Sequence, residues 1–321
     1  MRRLLAAAVV TAFAVGCGGG DDGSERADRS PERLTITTGG KGGIYYEYGG
    51  ALAKVVSRHL SGYRATAQES TGAVENLLRL RDGRADIALT LGDTAIDAVE
   101  GREAFREPVP LRALAQIYGS YAQVVTAKGS GIDSLAGLEG KRVSVGSPDS
   151  GTEVVAERLL ELARIDLRKD IKRRQLGVAD SAAALEDGSI DAFFWSGGLP
   201  TSAITDLARA HAVRLLDLGA YAKPLRTRYG GVYEDAAIPA GTYAGVTTRV
   251  PTVAIPNYIV VSEKMPGGLA FDLTELLFTH ARDLVKAHPE SRDLDPARAQ
   301  QVIAPIRLHR GAQQYYDHGG P

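Results

Sequence analysis

Cysteine is almost missing: the 321 residues hold one, at position 17. One cysteine cannot close an intrachain disulfide, so no disulfide framework supports this fold. Charge of either sign is also short in excess, with a net −1 and lysine and arginine scattered along the chain. That balance excludes the strongly basic face a nucleic-acid binder needs, so no nucleic-acid partner is expected. No serine lies in Gly-x-Ser-x-Gly and no His-Glu-x-x-His occurs, which argues against a hydrolase with an activated nucleophile or a zinc-peptidase helix. The six histidines, His59, His211, His280, His288, His309 and His318, are isolated, with no metal-ligand spacing. No cofactor is expected, and no repeat of solenoid period or long low-complexity segment is present.

Hydrophobic residues make up 44% and charged residues 24% of the chain, ordinary values that supply a sizeable core. The length is about two domains' worth. Arg2 and Arg3 precede an apolar run, Leu4 to Val15, too short to span a bilayer, which reads as a targeting segment. It ends in Ala14-Val15-Gly16-Cys17, similar to a bacterial lipobox, in which the cysteine is lipidated and becomes the mature N-terminus. A lipoprotein signal peptide over residues 1–17 is therefore expected, and after it a polar Gly/Ser/Asp-rich tether over 18–31. The alternative is a plain secretory signal with an incidental cysteine.

The stretch TTGGKGGIYYEYGG, Thr37 to Gly50, organises the rest of the chain. A β-type run from Arg33 to Thr37 feeds Gly39, Gly40, Gly42 and Gly43, and then Leu52, Val55, Val56 and Leu60 recur at helix spacing. Strand, glycine loop and helix start form a geometry for holding an anion: the backbone approaches closely, and the first N–H groups carry partial positive charge. No Lys-Ser/Thr comes after the glycines, and Tyr45 occupies the place of a third dinucleotide-loop glycine, so neither nucleotide version fits.

The rhythm then repeats. A strand is expected over Tyr63–Gln68, a helix from Ala73, and a buried strand over Asp86–Leu91 ending at Gly92-Asp93. Alternating strands and helices predict a parallel, helix-covered sheet whose ligand lies beyond the carboxyl ends of the strands. Leu111 to Thr126 holds two β-rich runs separated by Gly119-Ser120, expected as the crossing into a second lobe. A strand ending near Val145 runs into Gly146-Ser-Pro-Asp-Ser-Gly-Thr152 and a helix to about Ala163. Ser150 or Thr152 is a natural cap there, with Glu153 in the first turn. A strand over Ile190–Phe194 ends at Trp195-Ser-Gly-Gly-Leu-Pro200. Val250–Pro256 and Tyr258–Val261 are expected to return the chain, with helices around Gly268–His288 and Pro296–Ile303 packing on the first lobe.

The segments TTGGKGGIYYEYGGALAK, ESTGAVENLLRLRDGRADIAL, GLEGKRVSVGSPDSGTE, DGSIDAFFWSGGLP, IPAGTYAG and VPTVAIPNYIVV together resemble the TAXI family of TRAP-transporter solute-binding proteins. The resemblance covers Leu34 to the end. It implies an α/β, two-lobed periplasmic-binding-protein fold (type II) with a ligand cleft between lobes, residues 32–121 plus 252–321 forming one and 122–251 the other. It further implies an extracytoplasmic, lipid-anchored monomer that does no chemistry. Such a protein captures a small carboxylate (glutamate, glutamine or a 2-oxoglutarate-like acid) and delivers it to a TRAP-type membrane permease.

Carried over position by position, the resemblance puts Gly42, Gly43, Tyr45, Ser70, Thr71 and Asp93 in the first lobe's share of the pocket and Tyr118 near the hinge. Ser147, Ser150, Gly151, Thr152, Trp195 and Gly197 form the second lobe's share. Helix starts at Gly43 and Ser150–Thr152 would bind carboxylates, Asp93 an α-ammonium, and Tyr45 and Trp195 the ligand's carbon chain. Lys41 and Ile44 stand where hydroxyl residues are common in that family, so a cation is gained. Plainer roles stay open: Asp93 as a turn residue, Ser147, Ser150 and Thr152 as helix caps, Trp195 as core. A ligand-binding accessory of a membrane sensor kinase is an alternative, and a secreted hydrolase a weaker one.

Overall fold

The computed structural model describes residues 31–287 and 294–318. The signal segment, Cys17, the tether up to residue 30 and His288 lie outside the described residues. Among the described residues no helix is long and apolar enough to cross a membrane.

The strands are β1 (Glu32–Thr37), β2 (Tyr63–Gln68), β3 (Ile87–Leu91), β4 (Leu111–Ala127), β5 (Arg142–Ser144), β6 (Lys172–Arg174), β7 (Ala192–Gly197), β8 (Val213–Leu215), β9 (Glu234–Ile238) and β10 (Val250–Ser262). The helices are α1 (Ile44–His59), α2 (Ala73–Arg81), α3 (Gly92–Glu100), α4 (Gly151–Leu162), α5 (Val178–Glu186) and α6 (Ser202–Ala210). They continue with α7 (Ala222–Tyr229), α8 (Gly267–Thr279), α9 (Ala281–Ala287), α10 (Pro296–Ala299) and α11 (Arg310–Asp317).

The strands share one sheet in the order β2-β1-β3-β10-β4-β7-β5-β6, with β8 beside β4 and β9 beside β10. The β2-β1-β3 and β6-β5-β7 groups are internally parallel, whereas β4 and β10 run antiparallel to their neighbours. Those two long strands divide their pairing between two lobes. In β10, Val250–Ala254 pairs β9 and Asn257–Val261 pairs β3; in β4, Tyr121–Thr126 pairs β7.

Burial explains the local choices. Every residue of β3 is buried, as a continuous apolar run inside a covered parallel sheet requires. β2 at the sheet edge alternates half-buried and exposed positions, the period-two pattern of a strand covered on one face. Along β10, Tyr258 and Val260 join one apolar cluster while Ile259 and Val261 join another, because successive side chains leave opposite faces. A third cluster gathers β7, α5 and α6 residues such as Phe193, Leu185 and Ile204.

Several expected boundaries shift. Residues 111–126 form one strand, not two runs, because Gly119 and Ser120 stay paired opposite Pro256 and Ile255. β10 likewise passes through Pro256, with a register shift between Pro256 and Tyr258, since proline has no N–H for the ladder. Trp195 lies inside β7 rather than after it. Gly92 and Asp93 open a helix instead of ending a strand in a loop. The segment expected as one helix over 268–288 breaks at His280, which leaves helical geometry at φ −115° and ψ 24°. That expected over 296–303 is a single turn, capped by Asp295 and ended by Ala299. These helices, together with α11, pack against α1, β1, β3 and β4 through Leu273, Leu277, Ala299 and Ala312.

Candidate functional site

Four helices begin at one cavity. Gly43 precedes α1 and Gly72 precedes α2 in the first lobe; Ser150 precedes α4 and Gly177 precedes α5 in the second. The cavity, of about 60 Å³, is lined by residues from each of these starts: Gly43–Tyr45, Thr71–Ala73, Ser150–Thr152 and Gly177–Val178. A single enclosed water needs about 10–15 Å³ on this scale, so the space suits a ligand of few heavy atoms. The first N–H groups of a helix have no partner within it. Gly43, Gly72 and Gly177 supply no side-chain cap, and glycine at these places adds no methyl between backbone and ligand. Four positive helix ends aimed at one space favour an anion.

The remaining lining is mostly uncharged. Tyr118 and Ser120 come from β4, Trp195, Ser196 and Gly197 from β7, Ser147 from the loop before α4, and Leu91 from the end of β3. Lys41 is the one charged side chain among the described lining residues, which include no carboxylate and no histidine. Ser196 is buried, and its Oγ has no hydrogen-bond partner among the described residues. Its backbone N–H donates to Thr152 Oγ1 at 3.2 Å. Trp195 donates Nε1 to Thr201 Oγ1 at 2.9 Å, and its ring lies so near Gly43 that a Cβ there would be 3.1 Å from Cη2. Tyr45 donates its hydroxyl to Asn257 Oδ1 at 2.5 Å. Burial, then the Asp93 charge, pushes that hydroxyl's pKa well above its ordinary value, so Tyr45 stays a neutral donor.

Of the expected site residues, Gly43, Tyr45, Thr71, Tyr118, Ser147, Ser150, Gly151, Thr152, Trp195 and Gly197 all line the cavity. Gly42, Ser70 and Asp93 do not. Gly42 faces the second lobe: its carbonyl accepts from Ser202 Oγ at 3.3 Å, and a Cβ would meet Ala179 and Ala203 at 3.6 Å. Ser70 Oγ is 2.6 Å from Asn76 Oδ1 and 3.1 Å from the Thr38 carbonyl. Asn76, buried, also donates Nδ2 to the carbonyls of Thr38 and Leu89, which holds the ends of β1 and β3 to α2.

Asp93 requires the clearest correction. Its carboxylate is fully buried away from the cavity lining. Oδ2 accepts from Tyr233 at 2.8 Å and from Arg158 Nη1 at 3.4 Å, while Oδ1 accepts from the Thr94 N–H at 2.6 Å. Arg158 also pairs with Asp97. Asp93 thus neutralises a buried guanidinium instead of waiting for an ammonium.

Sequence reasoning does not reach the Gly177–Val178 start or Ser196 as lining positions, and it marks Lys41 only as a cation gained. Gly177 before Val178, Ala182 and Leu185 carries the same signal as the other starts, glycine ahead of an apolar helix face.

The two lobes touch around this cavity. Glu75 N–H donates to the Asp149 carbonyl at 3.1 Å, and a Cβ on Gly151 would overlap Leu91 and lie 3.1 Å from Ala73.

Residues 36–320 match the model of the NMT1-like family. The chain belongs to that family. Among solved structures, this NMT1-like chain is similar to one from Bordetella bronchiseptica RB50, with TM-score 0.55, 18% identity, and coverage of 90% of this chain and 89% of that one. It is also similar to a Xanthomonas citri protein bound to ATP, with TM-score 0.50, 16% identity, and coverage of 90% and 99%. An ancestral arginine-binding protein bound to arginine gives TM-score 0.50 and 14% identity, with coverage of 81% and 98%. At these identities the likeness concerns the fold. That fold is the two-lobed periplasmic-binding-protein fold of type II, with its cleft between the lobes.

Proposed function

We propose that this NMT1-like protein is an extracytoplasmic solute-binding protein that captures a small carboxylate by lobe closure and hands it to a membrane permease of TRAP type. It performs no chemistry on the ligand. The observation that carries this reading is the cavity closed between two lobes, into which four helix starts open and whose described lining offers one cation and no carboxylate or histidine. Such a lining has groups to bind an anion, and its serines have no histidine or carboxylate beside them among the described lining residues to activate them. It also offers no carboxylate among the described lining residues to neutralise an α-ammonium, which favours an oxo or dicarboxylic acid over an amino acid. The TAXI-like segments support delivery to a TRAP permease, and the lipobox-like Cys17 supports a lipid anchor; a Cys17→Ser form left in the membrane fraction would count against the anchor.

Each lobe supplies two of the helix starts, so the open form holds only half a site and ligand shifts the balance towards closure. We take the crossings of β4 near Gly119–Tyr121 and of β10 near Ala254–Asn257 as the hinge, with residues 32–121 and 252–321 moving against 122–251.

Calorimetry against glutamate, glutamine, 2-oxoglutarate, C4-dicarboxylates and neutral amino acids tests the reading. Binding of 2-oxoglutarate or a dicarboxylate ahead of glutamate is the expected result. A preference for neutral amino acids would overturn the anion reading, and turnover of any bound ester or peptide would overturn the transport reading.

A further inference from the structure

The first helix of the fold joins the cavity at one end to an unassigned cluster at the other. α1 has 16 residues, which at 1.5 Å per residue separates its ends by about 24 Å. Its last residue is His59. Beside it lie His280, the residue after α8, and Asp283 in the first turn of α9. The imidazole rings of His59 and His280 stack with centroids 3.6 Å apart and 19° between planes. One ligand atom from each of His59, His280 and Asp283 can be chosen so that all lie within 4.8 Å of one another.

We propose that His59, His280 and Asp283 form a binding site for a divalent transition-metal ion such as Zn²⁺, separate from the acid cavity. Two imidazole nitrogens and a carboxylate oxygen are the ligand types that favour zinc, nickel or copper over calcium or magnesium. A metal ion takes an in-plane lone pair from one nitrogen of each ring, so binding would turn the stacked rings until those lone pairs converge. α1 ends at His59 and α8 ends at Thr279, while α9 begins at Ala281, so two negative helix ends and one positive end meet at the cluster.

The neighbourhood fits an ion with open positions. Asp283 also lines an outer groove of about 560 Å³ with Glu47, Glu69, Lys54, Arg58 and Lys286, so solvent reaches the metal's remaining positions. Lys286 Nζ sits 2.9 Å from Asp283 Oδ1 and competes for that carboxylate. Metal would displace it and tie the end of α1 to the break between α8 and α9, where chain positions far apart in sequence meet.

The test is calorimetric titration of zinc chloride into the full chain, purified without a polyhistidine tag. One equivalent should bind. His59→Gln and His280→Gln should each weaken it at least tenfold, and Asp283→Asn should weaken it less. Lys286→Ala should tighten it by freeing the carboxylate. Zinc binding that is unchanged in both histidine variants, or absent from the wild type at 100 μM metal (~0.1 mM, weaker than about −5 kcal/mol), would overturn the assignment. Histidine-selective nuclear magnetic resonance on the wild type gives a reading independent of any variant's folding: zinc should shift the His59 and His280 ring signals and leave those of His309 in place.

Discussion

Tyr233 donates its hydroxyl to Asp93 across 2.8 Å, joining positions 140 residues apart. The same hydroxyl accepts from Arg158 at 2.7 Å, so a tyrosine and an arginine hold one carboxylate. All three side chains are buried. Burial alone would lower the Arg158 pKa, but Tyr233, Asp93 and Asp97 more than offset it and raise it. The fold therefore encloses a charge cluster whose members depend on one another.

Asp93→Ala should destabilise the protein by about 3–5 kcal/mol, the usual cost of leaving one member of a buried ion pair uncompensated. Denaturant midpoints read this directly. Affinities for glutamate and 2-oxoglutarate should fall together, because Asp93 does not line the cavity. A stable variant that loses glutamate alone would return Asp93 to the binding site.

Gly151→Ala should block closure. The added methyl would enter the space of Leu91 and crowd Ala73 on the opposite lobe. Alanine suits a helix better than glycine by up to about 1 kcal/mol, so the lobe itself should not suffer. Ligand affinity should fall at least tenfold, about 1.4 kcal/mol, and small-angle scattering with saturating acid should keep the ligand-free radius. Unchanged affinity would mean that the closed contact is not needed for binding.

Lys41→Met should weaken acid binding only modestly. Lys41 is exposed at the cavity, where a solvated cation contributes about 0.2–1 kcal/mol. The dependence of affinity on salt should flatten, since the screened charge is gone. A loss of a hundredfold or more would make Lys41, rather than the helix starts, the principal anchor.

Asp191 holds β7 to β5 by accepting from Arg142 N at 2.7 Å, Nη2 at 2.6 Å and Nε at 3.1 Å. The Arg142 side chain, and then its backbone N–H, lower the Asp191 pKa against the upward push of burial. A carboxyl depressed in the folded state contributes stability above its unfolded value, about 3.9, and loses it as pH falls through the depressed folded value. Melting curves of wild type and Asp191→Asn should therefore differ at pH 7 and approach one another below about pH 4. A constant gap across that range would remove the Asp191 charge from the account.

The amino-acid sequence by itself determined the parts of this protein that a few consecutive residues can encode. Thr37–Gly43 announces a strand, a glycine loop and a helix start, and Ser150 does cap α4, accepting from Glu153 N–H at 3.1 Å, because strand period, glycine and capping act within one or two turns. The α/β order came from repeating that local signal, and most cavity residues from the family resemblance of the segments that carry it. Only the tertiary structure decided which side chains meet over long separations. Asp93 finds partners 65 and 140 positions away, and a buried arginine takes the carboxylate that local chemistry left available to a ligand. Lys41 became the sole charge in the described lining because the fold directs the acidic groups elsewhere. His59 and His280 show no spacing in the sequence, yet stack at 3.6 Å, since the end of one helix and the break after another are brought together by the packing of α1 against α8 and α9.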